Sequence, residues 1–312
     1  MDVGEKSKNE ARHTTNSIMP LIEVTDFSRE GWADSAAREE RARWCCEQLE
    51  QAAILSLRSP LFDLSESDRR FLCSIQQTKP LAIKNISYQP ATRRLAGYAG
   101  SDADTRKLKR LMAGYADSMR NAAMDLLSPY ADGLQVDLTS FRPIEERDRQ
   151  LETHARNDLI HIDAFSHRPA RDRRILRFFT NIHPTEARVW KISGTFELLA
   201  ERMARAAGLE LYAGRMNSSG FPIASHTPYD QFMLGFHDYL KMNDSFQANC
   251  PTQLIEFPPG STWIAFTDAV PHAVVSGQYA LEQTFFVPVA SMLIPHKSPL
   301  RLLEAMCGSR LA

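Results

Sequence analysis

The sequence lacks the features expected of a disulfide-bonded or membrane-spanning protein. Its five cysteines form no CxxC or CxxxxC pair, two of them are adjacent, and their number is odd, so a disulfide framework is not expected. No apolar run reaches the roughly 18 residues of a transmembrane helix. The opening MDVGEKSKNEARHTTNSIMP lacks the apolar core of a signal peptide. These absences predict a cytoplasmic protein.

The chain also lacks an excess of charge of either sign. Its 312 residues include 37 Lys and Arg against 38 Asp and Glu, which gives a net charge of -1. This balance excludes a general electrostatic attraction to nucleic acid, and a charged partner would have to be recognised by a local patch. No heptad pattern or apolar stripe indicates an oligomer, so the oligomeric state stays open.

The first half of the chain has mainly helical patterns. Residues 1–20 are polar and predict a disordered tail, and residues 21–312 predict a single domain with a helical part over 21–133 and a barrel over 134–290. Apolar residues recur at helical spacing over 34–55 and over 103–127, and Ser65 is placed to cap a short helix.

From residue 134 the apolar pattern changes to a period of two. Eight short β-like runs follow, interrupted by helical patterns at about 195–207 and 228–241: LQVDLTSFRP, DLIHIDAF, RRILRFFTNI, ARVWKI, TQLIEFPPG, STWIAF, HAVVSG and QYALEQTFFVPV. The pattern predicts an α+β protein whose core is a double-stranded β-helix, the jelly-roll or cupin-like barrel, flanked by N-terminal and inserted helices. A mixed α+β domain without this architecture is the alternative.

A candidate metal site combines an H-x-D motif with a later histidine. His161 and Asp163 lie in the second β-like run, and His272 begins the seventh. Two imidazoles and one carboxylate on one face of a barrel form the facial triad of non-haem Fe(II) oxygenases. An H-x-D motif alone is a weak signal, and a lone histidine is often an ordinary polar group. The alternative third ligands His226, His237 and His296 fit less well, since His237 is on a helical pattern and His296 lies beyond the last strand.

Arginines around this motif indicate an anion. Arg177 shares a strand face with Ile175 and Phe179, which predicts a buried guanidinium that can bind a carboxylate such as the distal one of 2-oxoglutarate. Oxygenases of this architecture often carry a basic residue shortly after the late histidine, but HAVVSGQYALEQTFF contains none. Arg174 falls on the opposite face and is predicted to meet solvent. Arg142 is a second candidate for an anion.

Six segments, taken together, resemble the Kdo hydroxylases: KNISYQP, TSFRP, HIDAFSHRP, RILRFFTNI, YDQFMLGFHDYLK and SGQYALEQTFFVP. The resemblance covers about residues 20 to 300. These enzymes are Fe(II)- and 2-oxoglutarate-dependent oxygenases that use O2 to hydroxylate C3 of 3-deoxy-D-manno-oct-2-ulosonic acid (Kdo) in the inner core of lipopolysaccharide. The resemblance implies that His161, Asp163 and His272 bind iron and that the substrate is the anionic glycolipid Kdo-lipid A.

The resemblance also suggests roles for residues whose alternative is a purely structural one. Arg177 is expected at the 2-oxoglutarate site, with further pocket-lining candidates on the strands: Asn181, Trp190, Gln283 and Thr284. The arginines after the H-x-D motif are expected to line the entrance and bind the anionic substrate, or else to form a solvated face: Arg168, Arg171, Arg173 and Arg174.

Two other functions remain open on the residues alone. One is a jelly-roll hydrolase or isomerase that uses the same triad with zinc or manganese, and the other is a non-enzymatic sugar- or lipid-binding module. A second basic cluster, Arg106, Lys107, Lys109 and Arg110, is typical of a solvated helix face; its alternative is a peripheral contact with the cytoplasmic face of the inner membrane.

Overall fold

The computed structural model describes residues 21–24, 35–57, 60–75, 85–148, 151–213 and 226–312. The predicted tail over residues 1–20 lies outside the described residues. The helices are α1 Ser35–Glu50, α2 Glu66–Ser74, α3 Asp102–Leu126, α4 Phe196–Met203, α5 Pro228–Met242, α6 Asp244–Asn249 and α7 Pro299–Cys307. The strands are β1 Leu21–Val24, β2 Ile54–Leu57, β3 Ile86–Gln89, β4 Arg94–Ala96, β5 Gln135–Arg142, β6 Arg173–Asn181, β7 Arg188–Ile192, β8 Gln253–Phe257, β9 Thr262–Phe266, β10 His272–Ser276 and β11 Ala280–Pro288.

Two sheets face each other across an aromatic core. The larger has eight strands in the order β1-β2-β9-β6-β11-β5-β3-β4, and the smaller has three in the order β10-β7-β8. Trp190 of the small sheet packs edge-on against Phe179 and Trp263 of the large sheet, with ring centroids 4.9 and 5.6 Å away. Trp263 in turn stacks on Phe257 of the small sheet at 4.0 Å. Two sheets, antiparallel except for the parallel edge pair β1–β2, closed over such a core form the predicted jelly roll.

Helix α3 covers the outer face of the large sheet. Its buried stripe contains Leu108, Met112, Tyr115 and Met119, and Ser101 caps its first turn by accepting a hydrogen bond from the Asp104 amide. The Tyr115 hydroxyl contacts Thr180 Oγ1 at 3.1 Å and the carbonyl of Leu281 at 3.3 Å. The inner face of this sheet is therefore left to the candidate site.

Three sequence-based expectations for the fold are wrong. Residues 54–55, expected to end a helix, belong to β2, because α1 ends at Glu50, Ala52 turns in the left-handed region at φ 63°, and Leu55 pairs with Ile264. The part over 21–133, expected to be helical, thus supplies strands β1 to β4 as well as three helices. The run DLIHIDAF forms no strand, and its only ladder contact is a bridge between His161 and His272.

The helices predicted around 103–127, 195–207 and 228–241 are confirmed as α3, α4 and α5. Among the described residues, no helix combines the length and the apolar composition needed to cross a membrane.

Candidate metal centre

Three side chains converge where the H-x-D segment meets the small sheet. His161 and His272 exchange two main-chain hydrogen bonds of 3.0 and 2.9 Å, and the Asp163 amide donates to the carbonyl of Thr267 at 2.8 Å. One ligand atom from each of His161, Asp163 and His272 lies within 4.8 Å of the others, and all three residues are buried. In the part of the chain that the structure describes, this is the only such group of three or more potential metal ligands.

Both histidines present the same nitrogen to the common centre. Nδ1 of His161 hydrogen-bonds the carbonyl of Leu159 at 2.8 Å, and Nδ1 of His272 hydrogen-bonds that of Val270 at 2.8 Å. A carbonyl only accepts, so each Nδ1 carries the proton and each Nε2 keeps its lone pair. Burial lowers the pKa of both imidazoles, so both are neutral at neutral pH and able to bind a metal.

The third ligand is a carboxylate that stays ionised. Burial raises the pKa of Asp163, but opposing interactions, of which the positive charge of Arg177 is the largest, outweigh it and hold the pKa below its usual range. Arg177 Nη1 lies 3.2 Å from Asp163 Oδ2, but Oδ2 accepts no aligned hydrogen bond from the part of the chain that the structure describes. A buried acceptor without a donor, beside two neutral imidazoles, is the donor set expected of a divalent metal site and fits Fe(II).

A further histidine lies beside this group without joining it. His237 on α5 packs edge-on against His161 with ring centroids 5.3 Å apart, and its Nδ1 lies 2.9 Å from Asp238 Oδ1. Of the alternative ligands considered from the sequence, His226 contacts the carbonyl of Ser166 through Nε2, and His296 lies in a short 3-10 turn, Pro295–Lys297. None of the three belongs to the ligand group.

The wall next to the centre is aromatic and carries unsatisfied donors. The Trp190 ring stacks on His272 at 4.8 Å with an interplanar angle of 19°. Trp190 Nε1, Trp263 Nε1 and Arg177 Nε are buried and have no hydrogen-bond partner among the described residues. Buried N–H groups without an acceptor are costly, so these atoms indicate a pocket that fits an acceptor-rich ligand such as a carboxylate.

A network of buried charges surrounds Arg177. Glu282 accepts from Arg142 Nε and Nη2 at 2.9 and 2.7 Å, and its other oxygen lies 3.2 Å from Arg177 Nη1. Arg188, whose Nη2 lies 3.5 Å from Glu146, donates from Nη1 to the Gly277 carbonyl at 2.9 Å. Sequence reasoning missed Arg188, although its position two residues before Trp190 on one strand places both on the face towards the large sheet.

The other pocket candidates are divided by strand alternation. Thr284 is opposite Arg177 in the ladder and shares its inward face. The Asn181 amide is occupied, because it donates to the carbonyls of Glu186 and Phe257. Gln283 is wrong as a cofactor contact, because it projects from the opposite face, where it bonds Thr139 Oγ1 at 2.7 Å.

The arginines after the H-x-D motif have different environments. Arg174 is fully buried and pairs with Asp268 through bonds of 2.8 and 3.1 Å, so its predicted exposure and substrate contact are wrong. Arg168 is half-buried, hydrogen-bonds Asp137 and lies over the Phe165 ring; burial lowers its pKa to about 10. Arg171 is exposed, with φ 57°, in the turn before β6.

Comparisons with known proteins agree with this geometry. The sequence profile of the family described as 3-deoxy-D-manno-oct-2-ulosonic acid (Kdo) hydroxylase matches residues 31–310. The Kdo hydroxylase KdoO, in a crystal structure with α-ketoglutarate and Fe(III), is 32% identical in sequence to this chain, with a TM-score of 0.80. The match covers 94% of this chain and 98% of the KdoO chain. The KdoO complex with cobalt(II) is 33% identical, with a TM-score of 0.81 and coverage of 94% and 97%. No curated protein matches the chain.

Proposed function

This chain belongs to the Kdo hydroxylase family and is an Fe(II)- and 2-oxoglutarate-dependent dioxygenase acting on a Kdo-containing substrate, and we propose that it hydroxylates C3 of a Kdo sugar in Kdo-lipid A. The observation that carries the proposal is the buried group of His161, Asp163 and His272, whose imidazole Nε2 atoms are free to bind a metal.

In this proposal, His161, His272 and one oxygen of Asp163 hold the iron. Bound iron, together with 2-oxoglutarate and O2, supplies the oxidation that turns a C–H bond into C–OH while 2-oxoglutarate becomes succinate and carbon dioxide. The chain's own contribution is to fix the ligands: the main-chain bridge and the two Nδ1 hydrogen bonds hold the imidazoles in one orientation before any ligand arrives.

The co-substrate carboxylate is assigned to the donors beside the centre. Arg177 Nε and the Nε1 atoms of Trp190 and Trp263 are buried without an acceptor in the described chain, and a carboxylate has enough lone pairs for several of them. Glu282 keeps Arg142 next to Arg177, and the stacked rings of Phe179 and Trp263 provide an apolar wall that would help to exclude water.

The anionic sugar is assigned to the entrance residue Arg168. It is half-buried, near enough to Arg177 for the two positive charges to repel each other, and Asp137 accepts its hydrogen bond. The carboxylate of a sugar acid would relieve this repulsion.

Succinate formation by anaerobically purified, Fe(II)-reconstituted protein tests the proposal. Addition of 2-oxoglutarate, O2 and Kdo-lipid A is expected to give succinate and a lipid heavier by one oxygen atom, with fragmentation placing the oxygen on C3 of Kdo. His161→Ala is expected to abolish both products and iron binding, while the exposed His296→Ala serves as the matched control and retains them.

Iron binding without any turnover of 2-oxoglutarate would refute the oxygenase assignment in favour of another metal-dependent activity. Turnover in which the oxygen appears elsewhere on the lipid would refute only the assignment to C3.

A further inference from the structure

A basic cleft lies between α3 and the turn that joins β3 to β4. Its volume is about 470 Å³, and four basic residues line it: Arg93, Arg106, Lys109 and Arg110. Asp117 is the only acidic residue of the lining. The remaining lining residues are small or largely apolar: Tyr88, Pro90, Ala113 and Ala116. The cleft therefore presents a concave surface with a net positive charge.

Helical spacing explains why these cations meet. Arg106, Lys109 and Arg110 are three and four residues apart on α3 and so project from one face. Arg93 approaches from the turn, where its φ of 52° reverses the chain between the two strands. Lys107 is directed away from the cleft, since its ammonium pairs with Asp68 at 3.0 Å and lies over the Phe71 ring.

The four cations of the cleft are not neutralised by an ion pair within the described part of the chain, although the positive charge of Arg110 acts on Asp68, the partner of Lys107, and contributes to its lowered pKa. No hydrogen bond or ion pair of these side chains is present there, and all four residues are exposed. Some other surface arginines are paired with carboxylates: Arg38 with Asp125, Arg205 with Glu210 and Arg301 with Glu304. Four like charges in a cleft with one carboxylate, and without an ion pair, attract an anion.

The cleft and the candidate metal centre lie on opposite sides of the large sheet. The Tyr115 hydroxyl on α3 contacts Thr180, which projects from the outer face. Arg177, three residues earlier on β6, projects from the inner face towards Asp163. An anion in the cleft is therefore separate from any substrate at the centre.

The geometry points to the cleft as a binding site for a phosphate group. Arginine guanidinium groups form paired hydrogen bonds with phosphate oxygens, and lysine adds a point charge. A phospholipid headgroup and a free phosphate compound present the same oxygens, so two probes are needed to separate these sources.

The experiment measures binding of the full-length, iron-loaded protein to both probes. Co-sedimentation uses vesicles of phosphatidylcholine with or without phosphatidylglycerol, and calorimetry uses inorganic pyrophosphate. The cleft variant is Arg106→Gln/Lys109→Gln. The control Arg70→Gln/Arg120→Gln removes the same charge from exposed positions on α2 and α3 outside the cleft.

Binding to the anionic vesicles is expected to weaken about 25-fold in the cleft variant, because each of the two removed basic residues contributes a factor of roughly 5. The control is expected to bind like the unmodified chain. Charge-preserving Arg106→Lys/Lys109→Arg is expected to retain binding, and an unchanged thermal melting curve shows that the cleft variant is folded. Succinate formation without lipid is expected to stay the same in all three variants, so the result is independent of the proposed catalytic function.

The two probes decide the source of the phosphate. Cleft-dependent binding to anionic vesicles identifies a lipid headgroup, and cleft-dependent binding to pyrophosphate alone identifies a soluble phosphate compound. Equal losses in the cleft variant and the control, or no binding to either probe, would overturn the proposal.

Discussion

The ion pair between Arg174 and Asp268 gives a sharp test of how the metal centre is supported. Both side chains are buried, and two hydrogen bonds of 2.8 and 3.1 Å join them. Asp268 follows Thr267, whose carbonyl accepts the Asp163 amide at 2.8 Å. Asp268→Asn removes the charge and keeps the shape, so Arg174 becomes a buried cation without its carboxylate.

We expect Asp268→Asn to lower the free energy of unfolding by about 3–5 kcal/mol, the usual cost of breaking a buried pair. The Arg174 guanidinium also lies over the Phe266 ring at 4.1 Å, an interaction that persists in the variant, so the lower end of this range is favoured. The double variant Arg174→Met/Asp268→Leu leaves no unpaired charge, and we expect it to recover most of the loss.

Urea denaturation of the metal-free protein, followed by circular dichroism, measures these differences. The reasoning is refuted if Asp268→Asn costs less than about 1 kcal/mol, since that is the value of an exposed pair. It is also refuted if the double variant is less stable than Asp268→Asn, because the loss would then come from packing and not from an unpaired charge.

Three further predictions follow from the site. Trp190→Phe keeps the ring on His272 but removes a buried N–H, so the KM for 2-oxoglutarate should rise about 10-fold with iron affinity unchanged; an unaltered KM would exclude this donor. The pKa of His272 is lower in the folded chain than in the unfolded chain. At pH values between these two pKa values, the unfolded chain therefore binds a proton on His272 that the folded chain does not bind. Stability of the metal-free protein should therefore fall as pH drops below about 6.5, by up to about 1.4 kcal/mol per pH unit, and urea titrations of His272→Gln should show a weaker dependence. Gly277→Ala should destabilise by about 2 kcal/mol or more in thermal or urea unfolding, because φ is 128° and the new Cβ would lie 2.7 Å from Arg188 Cγ; Gly260→Ala, with open space around it, is the control and should cost less.

Patterns that depend on neighbours in sequence were predictable. The apolar stripe of α3 and the cap at Ser65 gave those helices to within a residue or two, because both depend on local spacing. The four runs from Gln253 to Pro288 likewise became β8 to β11.

Features that depend on distant pairing were not predictable. The strand Ile54–Leu57 is short and apolar, and its pairing with β1 and with β9, about 200 residues later, distinguishes it from the end of a helix. Alternation correctly separated Arg174 from Arg177, but it could not show that the outer face of the sheet is covered and holds Asp268.

The candidate metal ligands could be predicted from the sequence because their residue types are informative on their own. The groups that surround and orient them could not be predicted from the sequence. The H-x-D motif predicted His161 and Asp163, but each imidazole is fixed by a hydrogen bond that it donates to a main-chain carbonyl, and such a bond leaves no sequence signal. Arg188 was missed for a related reason, since an arginine in a short strand is usually a surface residue.

The main-chain bridge between His161 and His272 has a consequence for metal exchange. Because these two ligands are joined by the backbone itself, the spacing between their Cα atoms is part of the fold and does not depend on which ion is present. Divalent ions of similar radius should replace one another without refolding the chain. Discrimination between them is then left to the affinity of two imidazoles and one carboxylate for each ion, and to which ion the cell supplies.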